Sequence, residues 1–294
     1  MKKRRIHRAL LLAGVLTVFS GISPLAEAET EKDEGIYDLL LIGVDRRDDS
    51  WYGNSDVMIL LTVNHDRQTV YMTSFLRDLA ADIPGIGVRK LNAACANGGA
   101  KLLVETLEEN YQVSVDNYAM VDFNAMIQIV DAVGGIELEL TREEVSVAND
   151  YVKTMCEANG EPYEKHEIKS SGLIHLDGYQ AVGHARDRYS GSTNDFGRTD
   201  RQRDVLSALL EKVKGGDAET LANLMQTVLP CVSHDISQTE LLKLLALVPA
   251  VLEYDTVEQR IPYEDLYHSE NEMLVPDIEE TVKRLQETIY QTEE

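Results

Sequence analysis

Short apolar runs bounded by polar residues open the folded part of the chain. Tyr37 to Val44 (YDLLLIGV) runs into Asp45, Asp56 to Asn64 (DVMILLTVN) starts on a carboxylate, and Thr69 to Ser74 (TVYMTS) follows after His65-Asp66-Arg67-Gln68. Runs of this length between turn formers predict strands, the four polar residues making the hairpin turn between the second and third. Helical spacing then alternates with strands. A helix is expected from Ala100 to Asn110 after Gly98-Gly99, a strand over Ser114 to Val121, a helix capped by Asp122 and running to Val133, and a strand from Ile136 to Leu140 after Gly134-Gly135.

Residues 141 to 172 are charged and irregular, with turn signals at Asn159-Gly160 and Ser170-Ser171-Gly172, and read as a long connection, a lid or an insertion. Helical patterning returns from Leu176 to His184 and from Thr199 to Val213, where Gly215-Gly216 closes it. Helices over 218 to 228 and Thr239 to Leu252, a strand over Thr256 to Ile261 and a helix from Asp277 to Tyr290 complete the chain. The alternation predicts an α/β protein, an αβα layered sandwich on a central mixed sheet, with a mostly helical C-terminal extension on the same core. The expected segments are 1–28, 36–215 for the main domain, and 216–294 for the extension.

The first of these differs in kind. Lys2, Lys3, Arg4, Arg5 and Arg8 precede an apolar stretch from Ala9 to Ile22, and Ala26-Glu27-Ala28 follows. These are the parts of a secretory signal peptide, or of an N-terminal membrane anchor if uncleaved. Both put the rest of the chain outside the cytoplasmic membrane, secreted or anchored at its outer face.

Charge narrows the partners. With 28 Lys and Arg against 51 Asp and Glu, the net charge of −23 repels nucleic acid and anionic surfaces, so a polyanionic ligand requires a local exception. Three scattered cysteines, Cys95, Cys156 and Cys231, form neither a disulfide framework nor a metal motif; one bridge or three small thiols both fit.

The exception is His184 to Arg203, HARDRYSGSTNDFGRTDRQR, which holds Arg186, Arg188, Arg198, Arg201 and Arg203. Guanidinium groups are planar donor forks matched to phosphate oxygens and stay charged at physiological pH. Asp187, Asp195 and Asp200 equally offer these arginines ordinary ion-pair partners. Further support comes from the strand ends, where Asp45, Asp56 and Arg77-Asp78 fall and where α/β sheets gather ligand sites. Carboxylates beside a pyrophosphate make sense if a hard cation such as Mg²⁺ lies between them, although a strand-end Asp is also a common turn former, the preferred reading for Asp45 alone.

Five blocks, in order, resemble the signatures of the LytR-CpsA-Psr family: LLLIGVDRR with GNSDVMILLTVN, SFLRDL, KLNAACANGG, VDFNAMIQIVDAVGGIEL, and LDGYQAVGHARDRYSGSTNDFGRTDRQR. The resemblance implies an αβα sandwich with a long hydrophobic pocket. It also implies an Mg²⁺-dependent phosphotransferase that moves a glycopolymer phosphate from a polyprenyl pyrophosphate carrier to a peptidoglycan hydroxyl at the membrane surface. Carried onto this chain, it puts the metal at Asp56 and Asp195 and the pyrophosphate at Arg77, Arg186, Arg188, Arg198 and Gln202. Asp56, Arg77 and Asp78 would carry the chemistry, with Asp56 or Asp78 as proton acceptor. Two positions depart from the pattern: Asn54 stands where many relatives have Arg, and Phe75-Leu76 where Ile-Pro is usual. The loss of Arg at Asn54 keeps open a second reading, a regulatory module that binds polyprenyl phosphate without transfer. Ile127, Ile129, Val130 and Leu176 are candidates to line a lipid pocket or simply to fill the core.

Overall fold

The computed structural model describes residues 35–46, 51–191, 194–215, 226 and 228–290. The expected signal segment 1–28, and nearly all of the helix expected over 218 to 228, lie outside them. The first three strands form as the apolar runs predict: β1 (Ile36–Asp45), β2 (Asn54–Asn64) and β3 (Thr69–Phe75). They make an antiparallel meander whose second turn is the predicted 65–68 segment. A hairpin of β4 (Ala80–Ile83) and β5 (Gly87–Lys90), which the sequence pattern did not disclose, precedes helix α1 (Asn92–Tyr111). That helix starts eight residues before Ala100, and Gly99 (φ 68°, ψ −161°) is a kink inside it rather than its start.

Next come β6 (Asn117–Asp122), α2 (Phe123–Ala132) and β7 (Ile136–Leu140). As expected, Asp122 caps α2, its carboxylate accepting from the Ala125 amide at 2.9 Å. The stretch read as an irregular connection is instead helix α3 (Arg142–Asn159) and the short α4 (Tyr163–His166). Thr141 and Glu144 close a capping box at the start of α3, satisfying two amides that the helix itself leaves without partners. Leu176 ends β8 (Gly172–Leu176), paired with β7, rather than starting a helix; α5 (Gly178–Ala185) follows, capped by Asp177, and then α6 (Asn194–Gly215).

The tail adds β9 (Ser233–His234), α7 (Gln238–Val251), β10 (Asp255–Ile261), the hairpin β11 (Tyr267–Glu270) with β12 (Met273–Pro276), and α8 (Ile278–Ile289). The segment after 216 thus contributes strands as well as helices: β10 lies parallel to β3 at one edge of the main sheet. Strand order is β10-β3-β2-β1-β6-β9, a mixed six-stranded sheet.

Alternation along β1 separates the two faces of this sheet. Leu40, Ile42 and Val44 enter a core with Leu103, Leu107 and Tyr111 of α1 and Leu285 and Ile289 of α8. Leu41, Gly43 and Asp45 point the other way, toward α2, α5 and α6. The central sheet therefore has helices on both faces, giving the expected αβα layering. Among the described residues no helix is long and apolar enough to cross a membrane.

Candidate functional site

Between the second sheet face and helices α2, α5 and α6 lies a cavity of about 460 Å³. The topology fixes its polar end. β1 and β6 are parallel, β2 runs opposite to β1, and β3 opposite to β2. Asp45 and Asp122 end β1 and β6, Arg77 follows β3, and Asp56 begins β2, so all four share one edge of the sheet. This is the carboxyl-end position where open α/β sheets bind ligands.

A bulge aims Asp56. Val57 opposes Gly43, yet Ser55 opposes Val44, which leaves Asp56 as an extra residue in β2. An inserted residue breaks the two-residue alternation locally and re-aims a side chain. Both Asp56 and Val57 consequently line the cavity, while Ser55 and Met58 are buried on the other side.

Each wall changes from charged to apolar with distance from that edge. Along β1 the sequence of lining residues is Asp45, Gly43, Leu41; along β6 it is Asp122, Val121, Ala119. Helix α2 contributes Met126 and Ile129 beyond Phe123. Helix α6 presents Arg198, Gln202, Val205, Leu206 and Leu209, the i, i+4, i+7, i+8, i+11 pattern of one helical face. From Arg198 to Leu209 that face covers about 16 Å at 1.5 Å per residue. Of the candidate lipid-lining residues, Ile129 reaches the cavity, whereas Ile127, Val130 and Leu176 are packed in the helical core.

The structure brings Asp56, Arg77, Arg186, Arg188, Arg198 and Gln202 to the cavity together. Arg77 donates to Asp56 at 2.9 Å. Asp78 is not in the lining; its carboxylate lies 3.7 Å from Arg77 Nε and 3.0 Å from Lys90 Nζ, positioned to orient Arg77 from behind. The side chain of Asp195 lies outside the described residues. Four guanidinium groups thus meet three carboxylates, Asp45, Asp56 and Asp122, in the lining, against the strongly acidic balance of the chain as a whole.

The remaining two arginines of the basic run do a different job. Arg201 and Arg203 are 8% and 6% exposed. Arg203 pairs with Glu258 at 2.9 Å and donates to Ser74 at 2.9 Å, tying α6 to β10 and β3. Arg201 pairs with Glu144 at 3.1 Å and donates to the Ser190 carbonyl at 2.9 Å, with the fully buried Asp187 carboxylate at 3.5 Å. Asp187 in turn accepts from the amides of Tyr189 and Ser190 and from the Ser190 hydroxyl. This network joins the turn after α5, which carries Arg186 and Arg188, to the helix that carries Arg198 and Gln202. For these two residues the ion-pair reading holds, with the guanidinium groups buried rather than solvated.

Sequence reasoning undervalued Asp45, read Asp122 only as a cap, and had no signal for Tyr151. The Arg186 guanidinium carbon sits 4.1 Å from the Phe123 ring centre and 5.1 Å from that of Tyr151, which fixes a flexible cation between two aromatic faces. Burial is the main cause raising the Tyr151 hydroxyl pKa, so that group remains a neutral donor in the cavity. His184, 3% exposed just behind the arginines, is pushed down to about 4 by burial. Cys95 and Cys156 are buried free thiols, and Cys231 Sγ donates to Gln128 at 3.2 Å.

A mixed-sheet αβα protein with a cavity charged at one end and apolar along its length is built for a ligand of the same polarity. The chain belongs to the LytR-CpsA-Psr family: the sequence model of the LytR_cpsA_psr family matches residues 20–289. Biofilm regulatory protein A of Streptococcus mutans is 33% identical over 233 residues, covering 76% of this chain and 54% of that protein. The polyisoprenyl-teichoic acid–peptidoglycan teichoic acid transferase TagU of Halalkalibacterium halodurans is 35% identical over 177 residues, covering 60% and 53%. The chain spans about half the length of the curated relatives it matches. Among solved structures, TagT bound to LI-WTA superposes with a TM-score of 0.68 at 26% identity over 88% of this chain and 94% of that one. Protein gbs0355 of Streptococcus agalactiae gives 0.70 at 25% identity over 88% and 90%.

Proposed function

We propose that this protein is an extracytoplasmic phosphotransferase that takes a glycopolymer phosphate from a polyprenyl pyrophosphate carrier and attaches it to a peptidoglycan hydroxyl. The observation that carries the proposal is the lengthwise gradient of the cavity: arginines at the sheet edge for the pyrophosphate, apolar walls beyond for the prenyl chain. The names of relatives such as TagU, and the LI-WTA bound to TagT, support the same substrate class. The placement outside the membrane rests on the N-terminal sequence pattern.

In this mechanism Arg77, Arg186, Arg188 and Arg198, with Gln202, hold the pyrophosphate oxygens and stabilise the charge that develops during transfer. The acceptor oxygen bonds to the sugar-linked phosphorus while the bridging bond to the lipid phosphate breaks, and polyprenyl monophosphate leaves. Asp56 accepts the hydroxyl proton. It is favoured over Asp78 because it lines the cavity, and Asp78 acts by orienting Arg77.

Mg²⁺ is part of the proposal. Among the described residues no group of three candidate ligands surrounds one point, and the Asp195 side chain is not among them. One or two carboxylates completed by phosphate oxygens is the donor set Mg²⁺ ordinarily uses, and Asp56 at the cavity's polar end suits it, with Asp195 as the second position. When bound, the ion would neutralise charge on the pyrophosphate oxygens.

The test is turnover of a prenyl-pyrophosphate-linked saccharide by the purified chain. Arg77→Ala and Arg198→Ala should each cut transfer by about 100- to 1000-fold, as for loss of a key transition-state donor, while unfolding remains cooperative. Wild-type turnover in either variant refutes the assignment. Tight binding of the lipid pyrophosphate with no turnover in the wild type favours the regulatory reading, which Asn54 and the similarity to a biofilm regulatory protein make the second choice.

A further inference from the structure

Two aromatic side chains stand just before β2, at the end of the sheet that carries the cavity's charged residues and outside the cavity lining. Trp51 and Tyr52 are 47% and 53% exposed. Each nevertheless has a specific partner on α1. Trp51 Nε1 donates to the Ala96 carbonyl at 3.2 Å. Tyr52 packs against the bare Cα of Gly99, where a Cβ would come within 3.1 Å of the ring, and Gly99 is the residue at which α1 leaves helical geometry with φ 68°. The helix is thus broken at the point where it seats the ring.

The location follows from backbone neighbours. Gly53, next in the chain, lies against the Asp45 carbonyl at about 3.0 Å from its own Cβ position, and Asn54 opposes Asp45 in the last rung of the β1–β2 pair. On the other side, the start of α1 is tied to the arginine at the cavity, the Asn92 amide donating to the Arg77 carbonyl at 3.2 Å. The pair therefore sits at the same end of the sheet as Asp45 and the Arg77 turn, above the start of α1. Rigid, half-exposed Trp and Tyr give large amphipathic contact area at low entropic cost. The C–H face of a pyranose ring is apolar and flat enough to lie on such a surface while its hydroxyls remain in water.

We infer that Trp51 and Tyr52 form a saccharide-binding shelf that holds the sugar next to the reacting phosphate, either the first sugars of the donor or the glycan of the acceptor. This rests on the proposed pyrophosphate site for its place in the reaction, though sugar binding can be read independently. Trp51 is the chain's single tryptophan, so its emission reports the shelf directly.

Three probes are titrated into the full chain: farnesyl pyrophosphate, farnesyl pyrophosphate carrying an N-acetylglucosamine disaccharide, and free tetra-N-acetylglucosamine. Farnesyl pyrophosphate alone should bind, by calorimetry, with Trp51 emission unchanged. The sugar-linked lipid should shift and saturate the emission, and Tyr52→Ala should weaken that response several-fold. Trp51→Ala with Tyr52→Ala should bind the sugar-linked lipid about tenfold more weakly, two ring contacts being removed, yet bind farnesyl pyrophosphate as the wild type does, which also shows the fold is intact. A response to the tetrasaccharide assigns the shelf to the acceptor glycan; a response to the lipid-linked sugar alone assigns it to the donor. No emission change with either sugar probe, or equal affinity of the double variant for the sugar-linked lipid, overturns the shelf. Failure of farnesyl pyrophosphate to bind the wild type counts against the pyrophosphate site instead, and the tetrasaccharide then decides the shelf alone.

Discussion

Replacing Arg201 by methionine keeps most of the side chain's volume and removes only its charge and donors. The guanidinium is nearly buried and serves Glu144, the Ser190 carbonyl and hydroxyl, and Asp187, whose own carboxylate is fully buried. In the variant Asp187 keeps the donors from Tyr189 and Ser190 but loses its counter-charge, and the Ser190 carbonyl loses its donor. Breaking a buried pair from one side costs about 3–5 kcal/mol; the partial exposure of Glu144 argues for the lower figure, about 3 kcal/mol. For a chain of this size that corresponds to a Tm lower by roughly 6–12 °C. Urea unfolding should show the midpoint falling at constant m-value. Asp187→Asn in the same background removes the stranded charge, so the double variant should recover at least about 1 kcal/mol relative to additivity. A loss below about 1 kcal/mol, or strictly additive single changes, refutes the account of this network as the brace that holds the two arginine-bearing segments together.

Acidification should act through His184. Its pKa lies near 4 in the folded protein against an ordinary 6.5, so between those values the unfolded chain takes up a proton that the folded one does not, and stability is full above pH 6.5 and declines toward pH 4, by about 3 kcal/mol at most. Glu144, Arg201 and Asp187 face the ring; His184→Gln should flatten this slope, and identical pH profiles for the two proteins would remove His184 as its cause. Gly178→Ala should be unusually costly for so small a change, about 1–3 kcal/mol or more by denaturant titration, because the added Cβ would sit 2.3 Å from the Ile127 carbonyl oxygen; a neutral result would mean that α5 and α2 can part freely. Phe123→Leu removes one of the two rings holding Arg186 and should weaken prenyl pyrophosphate binding about threefold to tenfold with little effect on Tm, whereas unchanged affinity would show that the arginine orients itself.

The parts of the fold that local pattern determines were readable. Apolar runs gave β1 to β3, and the carboxylate at 122 marked the start of α2. Helix α3 was readable too, but its charge disguised it: Val145, Ala148, Val152, Met155 and Cys156 recur at helical spacing, and Thr141 with Glu144 has the form of a capping box. Dense Glu and Asp made a loop seem the simpler reading. The two extra hairpins are short, and neither carries enough alternation to stand out from turns.

The site was less legible because its geometry arises from events that sequence spacing does not encode. The five arginines from 186 to 203 look equivalent in a linear run. Which of the three on α6 face the cavity depends on how that helix is rotated about its axis, and that rotation is fixed by distant partners: Glu144 on α3 and Glu258 on β10 capture Arg201 and Arg203. With those two held, Arg198, Gln202, Val205 and Leu209 must face the cavity. Asp56 reaches it only because of a one-residue register shift in the pairing of β2 with β1.

These two features would let so acidic a chain accommodate the proposed polyanion. A basic patch formed by all five arginines would attract phosphate but hold it loosely, since each guanidinium would keep its own flexibility. Here two of the five are neutralised inside the fold and act as fasteners, and three arginines at the cavity are restrained in turn: Arg77 by Asp56 and Asp78, Arg186 between two rings, and Arg198 by its place on the fastened helix. The attraction is then confined to one sheet edge and preorganised there, which is where the proposed transfer would need it. The net negative charge of the chain sharpens that confinement, because it disfavours a phosphate over most of the molecule.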